Sequence, residues 1–236
     1  MTENPQEVIT TTVDAIAKQT KTSKAAISRF CQRLGYSGYS EMKYDMSRYL
    51  VRQNAHAARH ENDPFEDPVK SITDLYADYV RRMGEACDYA TVRAIASEFL
   101  KARKIKIFGL NRSFNSAKQM EQRLARMGFD TSAVSDTQFM NDCIGFLDNR
   151  DLVIIFTTRD NTNFYGPVVK TLHELGCRIV CITMSSGLKF AKYCDQLAVL
   201  PRISKDSNLS FLDDQPLFMI YVEILLTAIA YQDNYH

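Results

Sequence analysis

Residues 13–34, VDAIAKQTKTSKAAISRFCQRL, hold two bursts of apolar side chains at helical spacing, separated by a short polar break. Val13, Ile16 and Ala17 fall on one face of the first burst, and Ile27, Phe30, Cys31 and Leu34 repeat the i, i+3, i+4 pattern in the second. The break, Gln19-Thr20-Lys21-Thr22, forces two helices to cross sharply, and Ser23 stands where an N-cap accepts a free backbone N–H. The stretch therefore reads as helix, tight turn, helix. The outward face of the second helix carries Lys24, Ala25, Ser28, Arg29, Gln32 and Arg33. Long donors of this kind reach base edges and phosphates from a major groove, and Ser and Ala permit close approach. An ordinary helical hairpin with a solvated face satisfies the same periodicity, and spacing alone does not choose between the two.

Beyond Leu34 the string Gly35-Tyr36-Ser37-Gly38-Tyr39-Ser40 ends the helix and turns. Glu41 to Val51 reads as a further helix, with Met42, Met46, Tyr49 and Leu50 available for packing. Residues 52–68 are polar, contain Asp63-Pro64 and Asp67-Pro68, and lack apolar periodicity, which marks a linker. The expected organisation is a DNA-binding domain at 1–51, a linker at 52–68 and a larger domain at 69–236. In the larger domain two helical stretches, Ile72 to Arg82 and Tyr89 to Ala102, precede a change of pattern. Short apolar runs follow at Ile105 to Phe108, Leu152 to Phe156, Arg178 to Ile182 and Gln196 to Leu200, with a fainter one at Thr131 to Val134. The stretches 113–128, 138–146, 162–175 and 187–194 suit helices, so the region reads as repeated βα units around a doubly wound parallel sheet of five strands.

Composition fits a folded cytosolic protein of two domains. The 236 residues are 45% apolar and 24% charged, near globular averages. The six cysteines (Cys31, Cys87, Cys143, Cys177, Cys181 and Cys194) form no CxxC pair and no secretory segment opens the chain, so buried free thiols in a reducing compartment are expected. The apolar run Leu217 to Ala230 is interrupted by Glu223 and too short to span a bilayer; it reads as a core or dimer helix. The formal charge of +1 hides a gradient: residues 1–60 hold nine Lys and Arg against five Asp and Glu, and the remainder twenty against twenty-three. A basic front on a mildly acidic body suits a phosphate-contacting module joined to a sensor.

The string from Ser23 to Tyr39, SKAAISRFCQRLGYSGY, with Ile16-Ala17-Lys18 and Thr22 before it and Lys43 after it, resembles the DNA-binding domain of RpiR-type regulators. That family couples a helix-turn-helix to a sugar-isomerase-like SIS domain that responds to phosphosugars. The resemblance adds Ser23, Tyr39 and Lys43 to the residues expected at DNA, and implies a three-layer SIS-like sheet in flavodoxin-like strand order. Family members usually carry another helix upstream, so the N-terminal helix is expected to be missing here, and Ala26 stands where Thr is usual.

Two strand ends carry the chemistry expected of the sensor. Ile105 to Ser113 takes an apolar strand through Gly109 and Asn111 into a helix, a geometry that points N–H groups and the helix dipole at an anion. It resembles the opening GxGxS of SIS domains, with Asn111 for the second Gly. Thr157-Thr158-Arg159-Asp160-Asn161-Thr162 stands where that family has its SxSGxT phosphate loop, with Arg159 replacing a Ser and Asp160 a Gly. Arg159 can hold a phosphate or carboxylate in bidentate fashion, whereas Asp160 repels that anion unless it pairs with Arg159 or Arg112. A loop that only supports the fold would show the same losses. Asn111, Ser113, Thr157, Thr158, Arg159 and Thr162 are the expected effector contacts.

Asp213-Asp214-Gln215-Pro216 reads as a helix start, with a sugar-hydroxyl contact by Asp214 or Gln215 as the other option, and Glu223 as a buried pocket group or a residue at a subunit boundary. SIS folds also serve aldose-ketose isomerases, which require a general base. Two of the four histidines, His56 and His60, lie in the linker, His236 is terminal and His173 falls in a helix; none composes a base with an orienting partner, and no spacing implies a metal. The sequence thus points to a cytoplasmic regulator of carbohydrate metabolism without catalytic residues or cofactor. Its expected partners are a palindromic DNA operator, a phosphosugar effector and further copies of the chain as homodimer or homotetramer, with no membrane. A SIS-fold sugar-phosphate isomerase or binding protein is the alternative.

Overall fold

The computed structural model describes residues 9, 11–57, 67–205 and 212–233, in two compact units, Met1–Ile72 and Thr73–His236. The question of an upstream helix falls on residues outside the described set, as does most of the expected linker.

In the first unit α1 spans Val13–Gln19, α2 Lys24–Arg33 and α3 Tyr39–Ala57. Thr12 caps α1 by accepting from Ala15 N–H at 3.3 Å, and Ser23, as expected from the sequence, caps α2 by accepting from Ala26 N–H at 3.1 Å. The tight turn is a Schellman closure: Thr22 N–H reaches back to the Ala17 carbonyl (2.9 Å) and Lys21 N–H to that of Lys18 (3.2 Å). Lys21 accordingly adopts φ +52°, the left-handed region that ordinarily selects glycine. The same closure ends α2, where the left-handed position is Gly35 at φ +91°. Ile16, Ala17, Ile27, Cys31, Tyr39 and Met42 form the core, flanked by Val13, Tyr36 and Met46. Phe30 and Leu34, expected inward, are 44% and 56% exposed, because α2 turns only its Ile27–Cys31 edge toward its neighbours. Helix α3 runs through to Ala57, six residues past the expected end at Val51.

Helix α4 (Pro68–Ala86), whose first five residues fall in the first unit, and α5 (Tyr89–Lys101) precede β1 (Ile105–Gly109), α6 (Ser113–Arg126), β2 (Thr131–Val134) and α7 (Thr137–Ile144) of the second unit. Then follow β3 (Leu152–Thr157), α8 (Thr162–Glu174), β4 (Arg178–Thr183), β5 (Gln196–Val199) and α9 (Gln215–Asp233). The five parallel strands lie in the order β2-β1-β3-β4-β5, the flavodoxin-like arrangement. The expected helix at 187–194 is realised only as a 3-10 turn, Ala191–Tyr193.

Alternate residues of the strands enter two cores. Ile105, Ile107, Leu152, Ile154, Phe156, Val180 and Ile182 pack under α5, α6 and α9, whereas Phe108, Val153, Ile155, Ile179 and Cys181 pack under α7 and α8. This is the three-layer architecture that an apolar central strand demands: all six residues of β3 are buried. Helix α9, long and apolar enough by composition to cross a membrane, is a core helix here, with Leu217, Phe218, Tyr221, Val222, Leu225, Leu226 and Ile229 buried. Phe218 meets Phe156 of β3 edge to face, with ring centroids 5.3 Å apart. At the β2 edge of the sheet, the Glu121 carboxylate of α6 accepts the Ala133 N–H at 3.2 Å.

Candidate functional site

The first candidate surface is α2. Lys24, Ala25, Arg29, Gln32 and Arg33 are exposed along it and Ser28 is half-buried, while Ile27 and Cys31 anchor its inner face. Lys24 forms an exposed pair with Asp14 at 2.5 Å, a contact worth at most about 1 kcal/mol and easily exchanged for a phosphate. Ser23 is engaged as the N-cap. Tyr39 does not join this face: it is buried, with its hydroxyl donating to the Thr11 carbonyl at 3.3 Å. Lys43 is half-buried and its ammonium donates to the same carbonyl at 3.1 Å. The resemblance placed both at DNA; the contacts with Thr11 that engage them here span some thirty residues and leave no local signal.

The second candidate lies at the carboxyl ends of the strands, where the order reverses between β1 and β3 and open α/β sheets place ligands. The β1 turn is shaped by close backbone approach. A Cβ on Gly109 would sit 2.7 Å from the Ser113 carbonyl oxygen, so only glycine lets α6 start this near the strand. Asn111 takes φ +52°, a conformation its short polar side chain tolerates. The N–H groups of Ser113, Phe114 and Asn115 donate to the carbonyls of Leu110, Asn111 and Arg112 at 3.1, 3.2 and 3.0 Å. Ser113 itself is buried.

In the β3 turn the Thr157 hydroxyl donates to the Arg159 carbonyl at 2.7 Å and accepts from Asn161 Nδ2 at 3.2 Å. The Asp160 carboxylate accepts from Thr162 N–H at 2.9 Å and from the Thr162 hydroxyl. It therefore pairs with its own helix start rather than with Arg159 or Arg112, the arrangements considered from the sequence. Thr158 is half-buried between them. Arg159 is exposed, with no side-chain hydrogen bond or ion pair among the described residues.

Residues outside the sequence-derived set complete this edge. Arg112 pairs with Asp213, and Arg202, mostly buried, lies 3.6 Å from the Asp214 carboxylate. Burial, then the Arg159 charge nearby, holds the Arg202 guanidinium below its usual pKa. Asp214 also accepts from Ile203 N–H (2.8 Å) and Ser204 N–H (3.1 Å), and Asp213 caps Gln215 N–H at 3.0 Å, so the helix-start reading of this stretch holds. Gln215 accepts from the buried Ser116 hydroxyl at 2.7 Å. Glu223 is exposed and forks onto Arg123 of α6, which excludes the buried pocket role. Only residue spacing far beyond a local motif joins Arg202 to Arg159, and no sequence signal announced it.

The opposite edge of the sheet holds a cleft of about 400 Å³. Its charged groups satisfy one another: Arg178 bridges Glu98 (3.0 Å) and Asp195 (2.6 Å), and Arg103 binds buried Asp151 at 2.9 and 2.7 Å. This is a structural network, at the strand ends where open sheets do not place ligands. His173, exposed on α8, lies with its ring 5.5 Å from that of Tyr193. Among the described residues no group of three metal-ligating side chains occurs.

Comparison with known proteins agrees with this geometry. The SIS domain model matches residues 98–228, and the helix-turn-helix model of the rpiR family matches residues 1–53. The chain belongs to the SIS-domain family, in the branch that carries an N-terminal helix-turn-helix. More particularly, it is a member of the RpiR family of regulators. An uncharacterized HTH-type transcriptional regulator of Haemophilus influenzae is 25% identical over 202 residues, 83% of this chain and 70% of that protein. The HTH-type transcriptional regulator RpiR of Escherichia coli K12 is 23% identical over 79% of this chain and 64% of its own length. The chain thus spans about two thirds of the length of these relatives. Among solved structures, the Vibrio vulnificus NanR protein complexed with ManNAc-6P has the same fold, with a TM-score of 0.64 at 17% identity, over 98% of this chain and 83% of that one.

Proposed function

We propose that this chain is a sequence-specific DNA-binding transcriptional regulator of carbohydrate metabolism, switched by a phosphosugar or related small anion at the carboxyl edge of its SIS sheet. The observation that carries the reading is the α2 surface: a Ser23-capped helix that buries Ile27 and Cys31 while presenting Lys24, Ala25, Arg29, Gln32 and Arg33 to solvent. Arginine and glutamine in this setting read guanine and adenine edges or hold phosphates. Ser28 permits close approach, and Ser23 and Lys43 flank the helix. A chain of this kind works in the cytoplasm as a homodimer or homotetramer, setting two helix-turn-helix units on palindromic half-sites about one helical turn apart.

The effector contacts proposed are Asn111, Ser113, Thr157, Thr158, Arg159 and Thr162. An effector acts only if it binds one arrangement of the assembly better than another. The relatives' description as regulators supports a role without catalysis, as does the exposed position of His173, which has no hydrogen-bonding partner to orient it among the described residues. Turnover of a sugar phosphate by the purified protein, abolished by one carboxylate substitution, would replace this reading with the isomerase alternative.

Arg29→Ala is the test of the DNA surface. It is expected to weaken operator binding, with a salt dependence about one unit shallower if Arg29 meets a phosphate, or with relaxed base preference if it reads a base edge. Binding unchanged in affinity, salt slope and sequence preference would remove Arg29 from the recognition surface.

A further inference from the structure

The carboxyl edge of the sheet already contains an anion of its own. At the start of α8, the Thr162 N–H and hydroxyl both bond the Asp160 carboxylate, and the Thr157 hydroxyl is turned to the Arg159 carbonyl. At the start of α6 the first N–H groups are closed onto carbonyls of the preceding turn. An oxyanion seated at either helix would have to displace an internal acceptor, and at α8 that acceptor carries the same charge as the newcomer. The charge inventory of the edge points the same way. Arg112 is paired with Asp213 and Arg202 with Asp214, which leaves Arg159 as the guanidinium of this edge without an ion pair among the described residues, while exposed Lys189 lines a cleft with Asp160.

We propose that Asp160 is a tethered anion that bars phosphate from the start of α8, and that the effector is a small organic acid whose single carboxylate is held by Arg159. A carboxylate matches the planar fork of a guanidinium and adds a single negative charge to an edge that already carries three aspartates. A phosphate dianion adds a surplus charge beside Asp160, Asp213 and Asp214. The inference rests on the reading of this edge as the effector site, and of the phosphosugar or related small anion proposed there it selects a carboxylate and sets the phosphosugar aside.

Inorganic phosphate tests the first half, because it carries no sugar whose identity must be guessed. Titrated calorimetrically into the full chain, it should bind Asp160→Gly at least tenfold more tightly than wild type, with Asp160→Asn between them, since the amide keeps the acceptor and loses the charge. Equal phosphate affinity in wild type and Asp160→Gly overturns the inference. Melting shifts with a panel of aldonic and uronic acids, set against the matching sugar phosphates, test the second half. Acids alone should stabilise wild type, and Arg159→Ala should lose the shift. Stabilisation of wild type by sugar phosphates, or by neither class, overturns it. Operator binding measured on the same samples separates the two levels. A sugar phosphate that stabilises wild type and alters its DNA binding sinks the inference and leaves the regulator reading standing, whereas DNA binding that responds to neither class sinks both.

Discussion

The two units of this chain hold their shapes by different means. Among the described residues, the helix-turn-helix rests on six buried residues and a turn whose left-handed position is filled by lysine, whereas the SIS unit buries apolar side chains against both faces of a five-stranded sheet. A small unit has little margin over its conformational entropy, so each contact in it decides whether it folds. The large unit can lose a contact and remain itself.

Truncation in the two cores should expose that difference. Phe218→Ala is expected to destabilise the SIS unit by about 3–5 kcal/mol, read as a lower denaturation midpoint, with the fold retained. Ile27→Ala removes less, about 2–4 kcal/mol, yet should abolish the unfolding transition of the helix-turn-helix and its DNA binding while the SIS transition stays in place. A single transition that moves equally in both variants would erase the contrast. Gly109→Ala comes next: its methyl would meet backbone 2.7 Å away, and a loss of about 1–3 kcal/mol should appear in the SIS transition alone. Lys21→Gly is the smallest effect and opposite in sign. Relief of the left-handed backbone should stabilise the helix-turn-helix by about 0.5–1 kcal/mol, and a lower midpoint would mean that the Lys21 side chain matters more than its backbone.

The same contrast governs what could be read from sequence. The five strands emerge at or within a residue of their expected ends; the three central ones were the plainest, because strands buried on two faces are short apolar runs, whereas β2 and β5 at the margins are only partly buried. Helix α2 and its Ser23 cap were legible because both depend on neighbours within four residues. Phe30 and Leu34 were misread as core because periodicity gives a face, not how much of it a partner covers. At the candidate sites the residue types were visible and their partners were not. Nothing in the spacing of Arg159 and Asp160 indicates that one stands without a partner while the other turns back to Thr162, or that Arg202, Asp213 and Asp214 close the same edge.

The Glu121 carboxylate on the Ala133 N–H bears on how copies of this chain can meet. A bare edge strand is a template onto which another sheet can add by backbone hydrogen bonds alone. With a charged acceptor from α6 occupying that donor, sheet growth that uses the Ala133 N–H at the β2 margin would require Glu121 to let go. At this margin a partner would therefore meet a side chain, and with it the sequence, before it met bare backbone.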